Sequence, residues 1–138
     1  MWFYYALLSA LFAAFTAIFA KIGVSNINSN LATGIRTVII LILVWSVVFI
    51  KGEAKDIGSL SRFNILFLIL SGVATGLSWL FYFKALQIGK VSQVAAVDKL
   101  SVAIAILLSV LFFKETLTLK TAIGALLIIG GTILFAIK

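Results

Sequence analysis

Asp98 and Lys99 stand side by side in VSQVAAVDKLSVAIAILLSVLFF (91–113), a stretch otherwise apolar enough to span a membrane. A fixed charge near the bilayer interior costs about 2.5–3.5 kcal/mol on insertion scales, so it needs a partner or a wet cavity. Two kinds of chemistry answer that need. The charges can be structural, with Lys99 extending its stem to the headgroups and the pair holding helices in register. Alternatively they line a path for a polar solute, Asp98 serving as a salt-bridge partner or a proton carrier. Arg36, in LATGIRT (31–37), is a further embedded charge. Counted at about 1.5 Å per helical residue from the span ends, Arg36, Asp98 and Lys99 fall within roughly one turn of each other in depth. Ser78, Trp79 and Tyr82 come from the same half of another span. Consecutive helical residues point about 100° apart, so Asp98 and Lys99 face different neighbours. Pairing Asp98 with Arg36 would lower the cost of both and leave Lys99 to a cavity or the headgroups. Asp98 shares its face with Ser101, Ala105 and Ser109. The candidate substrate-binding or coupling residues are therefore Arg36, Ser78, Trp79, Tyr82, Asp98, Lys99 and Ser101. Trp79 is the aromatic best suited to a ligand, because its indole N–H needs a partner at that depth. Trp2, Tyr4 and Tyr5 sit where interfacial aromatics ordinarily do.

Other chemistry is poorly served. The chain has no histidine and no cysteine, which removes thiolates, disulfides and imidazole metal ligands. Intramembrane hydrolysis needs a Ser–His pair, two aspartates or a metal cluster, and only one acid is embedded. An enzyme is not expected, nor a cofactor or a metal. The +7 net charge is scattered over loops with no basic stripe, so nucleic acid is not an expected partner either.

The elements that must carry these residues follow from composition. Hydrophobic residues are 64% of the 138-residue chain and charged residues 11%, and the mean hydropathy is +1.28. A soluble domain of this size could not bury so much apolar surface. The reading is an all-α integral membrane protein, one domain over 1–138, with five transmembrane helices in one compact bundle. The spans are placed at 2–20, 31–50, 63–84, 91–113 and 121–137, each of bilayer length and helical because lipid offers the backbone no hydrogen-bond partner. The first run lacks a basic leader and ends at Lys21 without a small-residue cleavage site, so it reads as a span. Asn30 and Thr118 suit N-caps of the second and fifth helices, and Gly89 suits the end of the third.

An odd number of spans puts the termini on opposite sides. The side holding the N-terminus carries Lys51, Lys55, Arg62, Lys114 and Lys120, and the other side Lys21, Lys84, Lys90 and Lys138. Orientation is set by a clear lysine and arginine excess on one side, and five against four is almost none. Either a few loops dominate and one orientation wins, or the chain inserts both ways and the two forms pair. Small residues favour close helix packing: Ala6, Ala10, Ala13, Ala17 and Ala20 in the first span, Gly72 and Gly76 as G-x-x-x-G in the third, Gly124 and Gly131 in the fifth. They serve equally within one chain or between two. Arg36, Lys84 and Lys99 against Asp98 leave an excess of positive charge towards the C-terminal side. Apolar walls amplify that field and favour an anionic or zwitterionic small molecule.

The chain resembles the EamA-like branch of the drug/metabolite transporter superfamily, most strongly in WLFYFKALQIGKVSQVAAVDKLSVAIAILLSVLFFKETLTLKTAIGALLIIGGTIL (79–134). The residues that carry the resemblance are Phe83, Lys84, Ala85, Leu86 and Gly89, then Glu115, Leu117, Thr118, Gly124 and Gly131. FAKIG (19–23) and the arginine of LATGIRT also resemble family positions. Many relatives have a proline shortly before the position of Asp98; this chain has none, so a break in the fourth helix would have to form without it. The resemblance implies half of a ten-helix inverted-repeat fold, with a second five-helix unit supplied by another copy. It further implies a secondary transporter or exporter of small polar or amphiphilic metabolites, working by alternating access as an antiparallel, dual-topology homodimer embedded in membrane lipid. The expected location is the cytoplasmic (inner) membrane of a prokaryote. The alternative is a non-transporting accessory membrane subunit that pairs with another EamA-like chain or handles lipid-linked sugars. Small multidrug-resistance proteins fit less well, since they resemble four helices with an essential glutamate in the first, and no acid lies in the first span here.

Overall fold

The computed structural model describes residues 1–137 and is built of helices: α1 (Trp2–Gly23), α2 (Ser29–Ile50), α3 (Arg62–Ile88), α4 (Val91–Asp98), α5 (Leu100–Phe113) and α6 (Leu119–Ala136). A short 3-10 helix, Glu53–Ser59, lies between α2 and α3. With α4 and α5 counted together as Val91–Phe113, five stretches are long and apolar enough to cross a membrane. Their outward faces are apolar, in side chains such as Phe81 and Leu127, 74% and 71% exposed. In water such surfaces would aggregate; in hydrocarbon they are the solvent-matched exterior.

The ends depart from expectation in instructive places. The third helix runs four residues past its expected end, to Ile88, because Lys84, Leu86 and Gln87 continue the helix; the turn shrinks to Gly89 and Lys90. The cap of α2 is Asn28 rather than Asn30: its Oδ1 accepts from the amides of Asn30 and Leu31. Asn30 lies inside the first turn and supplies one of those amides. Thr118 caps α6 as expected, its side chain accepting from the Thr121 amide. Positive φ occurs at Gly52, entering the 3-10 helix, and at Lys114, closing α5. Lys138, counted among the loop charges, lies outside the described residues.

The fourth span is interrupted. Lys99 has φ −69 and ψ −9, its amide donates to the Ala96 carbonyl at 3.1 Å, and the Val102 amide donates to the Lys99 carbonyl at 3.0 Å. Both bonds reach back three residues instead of four, a tightened turn of 3-10 type between α4 and α5. No proline is involved.

The chain falls into two compact units, Met1–Ile18 with Ile88–Lys138, and Phe19–Gln87. In the first, α4 and α5 pack against α6, with Ala17 and Thr132 buried. In the second, burial concentrates on Val24, Ser29, Thr33, Phe83 and Leu86. Those residues belong to the end of α1 and its connection, the start of α2 and the end of α3, so this unit's interior sits at one end of its helices.

Candidate functional site

Within the second unit, α2 and α3 each present one face. Ser29, Thr33 and Arg36 follow the four- and three-residue spacing of a single helix face, and Ser29 and Thr33 are buried. Their hydroxyl chemistry is internal to the helix: Thr33 donates to the Ser29 carbonyl at 2.9 Å and Thr37 to the Thr33 carbonyl at 2.8 Å. Arg36 shares this inward face, so its guanidinium is directed to protein rather than lipid. Opposite it, Trp79, Phe83 and Leu86 share the spacing on α3, with Phe83 and Leu86 buried. The guanidinium carbon of Arg36 lies 4.3 Å from the centroid of a Trp79 ring and 5.2 Å from that of Phe83. A guanidinium over an aromatic face gains about 0.5–1 kcal/mol when exposed and about 2 or more when desolvated. A guanidinium so placed is drawn to the ring faces as a cation, and its N–H groups are donors suited to a planar acceptor. Among the described residues of this unit the ion pair formed is Lys51 with Glu53, at 4.0 Å and in the loop after α2; Arg36 is held by rings.

A set of polar bonds fixes the register of that arrangement. The Lys21 ammonium donates to the carbonyl of Leu86 at 2.6 Å and, at 3.5 Å, to that of Gln87. The Gln87 amide donates to the carbonyls of Ile27 at 2.8 Å and Val24 at 3.4 Å, and Lys84 donates to Gln87 Oε1 at 3.4 Å. The last carbonyls of a helix have no partner of their own, and a lysine from elsewhere satisfies them while complementing the negative end of the helix dipole. The end of α3 is thus tied to the connection between α1 and α2, one to two turns from Phe83 and Trp79.

Within the first unit the charges Asp98 and Lys99 meet, Lys99 Nζ lying 3.7 Å from Asp98 Oδ2. Neighbours on a regular helix do not face one another; here the two meet beside the interruption at Lys99, their side chains 58% (Lys99) and 39% (Asp98) exposed. Thr132 of α6 is buried and donates from Oγ1 to the Ala96 carbonyl at 3.1 Å. Ser109 donates to the Ile106 carbonyl at 2.9 Å.

Of the residues singled out from sequence, the structure brings Arg36 to Trp79 and Asp98 to Lys99. Tyr82 neighbours Phe83, ring centroids 6.5 Å apart, while Ser78 and Ser101 are exposed. Arg36 and the Asp98–Lys99 pair belong to separate units. Phe83, Thr33 and Thr132 escaped the sequence reading as site residues. The spacings 79–83 and 29–33–36 were the available signal for the first two. Among the packing residues, Ala17 is buried whereas Ala10 and Ala13 are exposed. A Cβ added at Gly72, Gly76, Gly124 or Gly131 would meet nothing within 4 Å, so these positions keep open space.

Comparison with known proteins supplies the family. The model of the EamA-like transporter family matches residues 1–137. An uncharacterised transporter from the cobO 3′ region of Sinorhizobium sp. is 46% identical over 136 residues, covering 99% of this chain and 96% of that protein. An uncharacterised protein of Methanocaldococcus jannaschii, MJ1333.1, is 44% identical over 70 residues, 51% of each chain. No solved structure matches.

Proposed function

The chain belongs to the EamA-like transporter family, and from that premise we propose that it is a secondary transporter of small anionic or zwitterionic metabolites. The observation that carries the reading is Arg36, a cation embedded in a span and stacked on Trp79 and Phe83. A guanidinium in that setting favours an acceptor for its N–H groups. A carboxylate or phosphate on a transient solute fills that role without a permanent ion pair. Trp79, Phe83 and Tyr82 offer apolar walls to an amphiphilic body, and Asp98 with Lys99 supplies the coupling charges. Alternating access is commonly built from two halves of opposite topology rocking about a shared site. The second half is another copy of this chain in an antiparallel, dual-topology homodimer, seated in the cytoplasmic membrane of a prokaryote. The open space at Gly72, Gly76, Gly124 and Gly131 supports a partner helix lying there.

The test is a panel of radiolabelled amino acids, organic phosphates and quaternary amines offered to proteoliposomes of the purified protein, with thermal shift of the detergent-solubilised protein in parallel. Movement and stabilisation by acids or zwitterions are expected. Stabilisation by quaternary amines alone would reverse the assigned sign, and a protein that moves nothing by itself is an accessory subunit.

A further inference from the structure

Thr132 behaves unlike the threonines inside α1, α2 and α3. Thr16, Thr33, Thr37 and Thr75 each return their hydroxyl hydrogen to the carbonyl four residues back in the same helix, at 2.8 to 2.9 Å. That bond is the default where no better acceptor is in reach. Thr132 instead crosses from α6 to the Ala96 carbonyl of α4 at 3.1 Å, and it is only 5% exposed. Its acceptor is singular too. In an unbroken helix the Ala96 carbonyl would take the amide of Leu100, four residues on. Here it takes the Lys99 amide, three residues on, at 3.1 Å. Such a tightened turn has poorer bond geometry than an α-turn and needs support to persist inside a span. The hydroxyl of Thr132 gives that carbonyl a second donor.

We propose that Thr132 is the positioning residue of the embedded ion pair: by holding the Ala96 carbonyl it maintains the interruption at Lys99, and the interruption brings Lys99 to Asp98. Without the hydroxyl, α4 and α5 regain the four-residue bond across Lys99 and the two side chains diverge as neighbours on a regular helix do. The proposal rests on the reading of Asp98 and Lys99 as a coupled pair and adds the residue that sets it.

A membrane-permeant carbodiimide tests this in the full chain with no substrate. It activates the Asp98 carboxyl; if the Lys99 amine is at hand it displaces the urea and leaves an internal amide, the protein one water lighter. If not, the activated acid rearranges to an N-acylurea that keeps the reagent's mass. Peptide mass mapping gives the ratio of the two products at Asp98, and Asp98→Asn is the blank. Thr132→Val, which keeps the shape and removes the donor, should lower the amide fraction by about three- to tenfold, the factor set by one net hydrogen bond, and Thr132→Ser should restore it. Comparing Thr132→Ala with Thr132→Ser repeats the experiment at smaller volume should the valine variant fold poorly. An amide fraction unchanged in Thr132→Val or Thr132→Ala overturns the positioning role. No amide in the wild-type protein would instead remove the underlying pair.

Discussion

At the residue scale, Arg36 is the position where placement and chemistry agree most fully. An arginine six residues into an apolar span is visible in any reading of the sequence, and so is a tryptophan at matching depth; charge and indole are conspicuous against leucine and valine. What the sequence did not disclose is that the two touch. The stacking can be isolated with a double-mutant cycle on thermal unfolding in detergent. Arg36→Met alone can raise stability, because it removes a charge from apolar surroundings, so single variants do not decide. The coupling between Arg36→Met and Trp79→Leu should be about 1 kcal/mol in favour of the native pair. A coupling indistinguishable from zero would show the guanidinium to be elsewhere. Thr132 was not legible at all: threonine is ordinary in helices, and only the direction of its hydroxyl sets it apart.

At the scale of elements, hydrophobic runs located every span, and lipid left helix as the available conformation. Ends were less legible, because caps are local competitions. Asn28 and Asn30 both stand before the apolar run of α2, and the sequence gives no reason to prefer the earlier. The interruption at Lys99 left no mark either, since the residue that ordinarily announces a break, proline, is missing. The tie at the end of α3 makes a prediction at this scale. Lys21→Met leaves the Leu86 carbonyl, buried with its residue, without the ammonium that satisfies it. An unsatisfied buried acceptor costs about 1–3 kcal/mol, so thermal unfolding should shift down by a corresponding amount, and Lys21→Arg, which keeps a donor, should recover most of it. If Lys21→Met melts with the wild type, the bond contributes nothing and the register of Trp79 and Phe83 is set by packing alone.

At the scale of the whole molecule the argument turns on charge around the membrane rather than within it. Read from the sequence, the nine lysines and arginines flanking the apolar runs divide five to four between the two sides, and the orienting rule acts through a bias that is nearly absent here. Under the proposed antiparallel arrangement a chain so balanced inserts in both directions, and the two forms supply the inverted halves of one transporter. The absence of native cysteine makes the consequence measurable. A single cysteine at Ser59, in the exposed connection between α2 and α3, should react with a membrane-impermeant thiol reagent from either face of sealed vesicles, each face reaching roughly half of the population. Added lysines near Ser59 should commit the chain to one orientation, lysines in the connection between α1 and α2 to the other. Each committed form alone should fail in the proteoliposome assay, and co-expression of the two should restore transport. Labelling from one face only in the wild-type chain would replace the antiparallel pair with a parallel dimer or a heteromeric partner. A single committed form that transports unaided would show that opposite topology is dispensable.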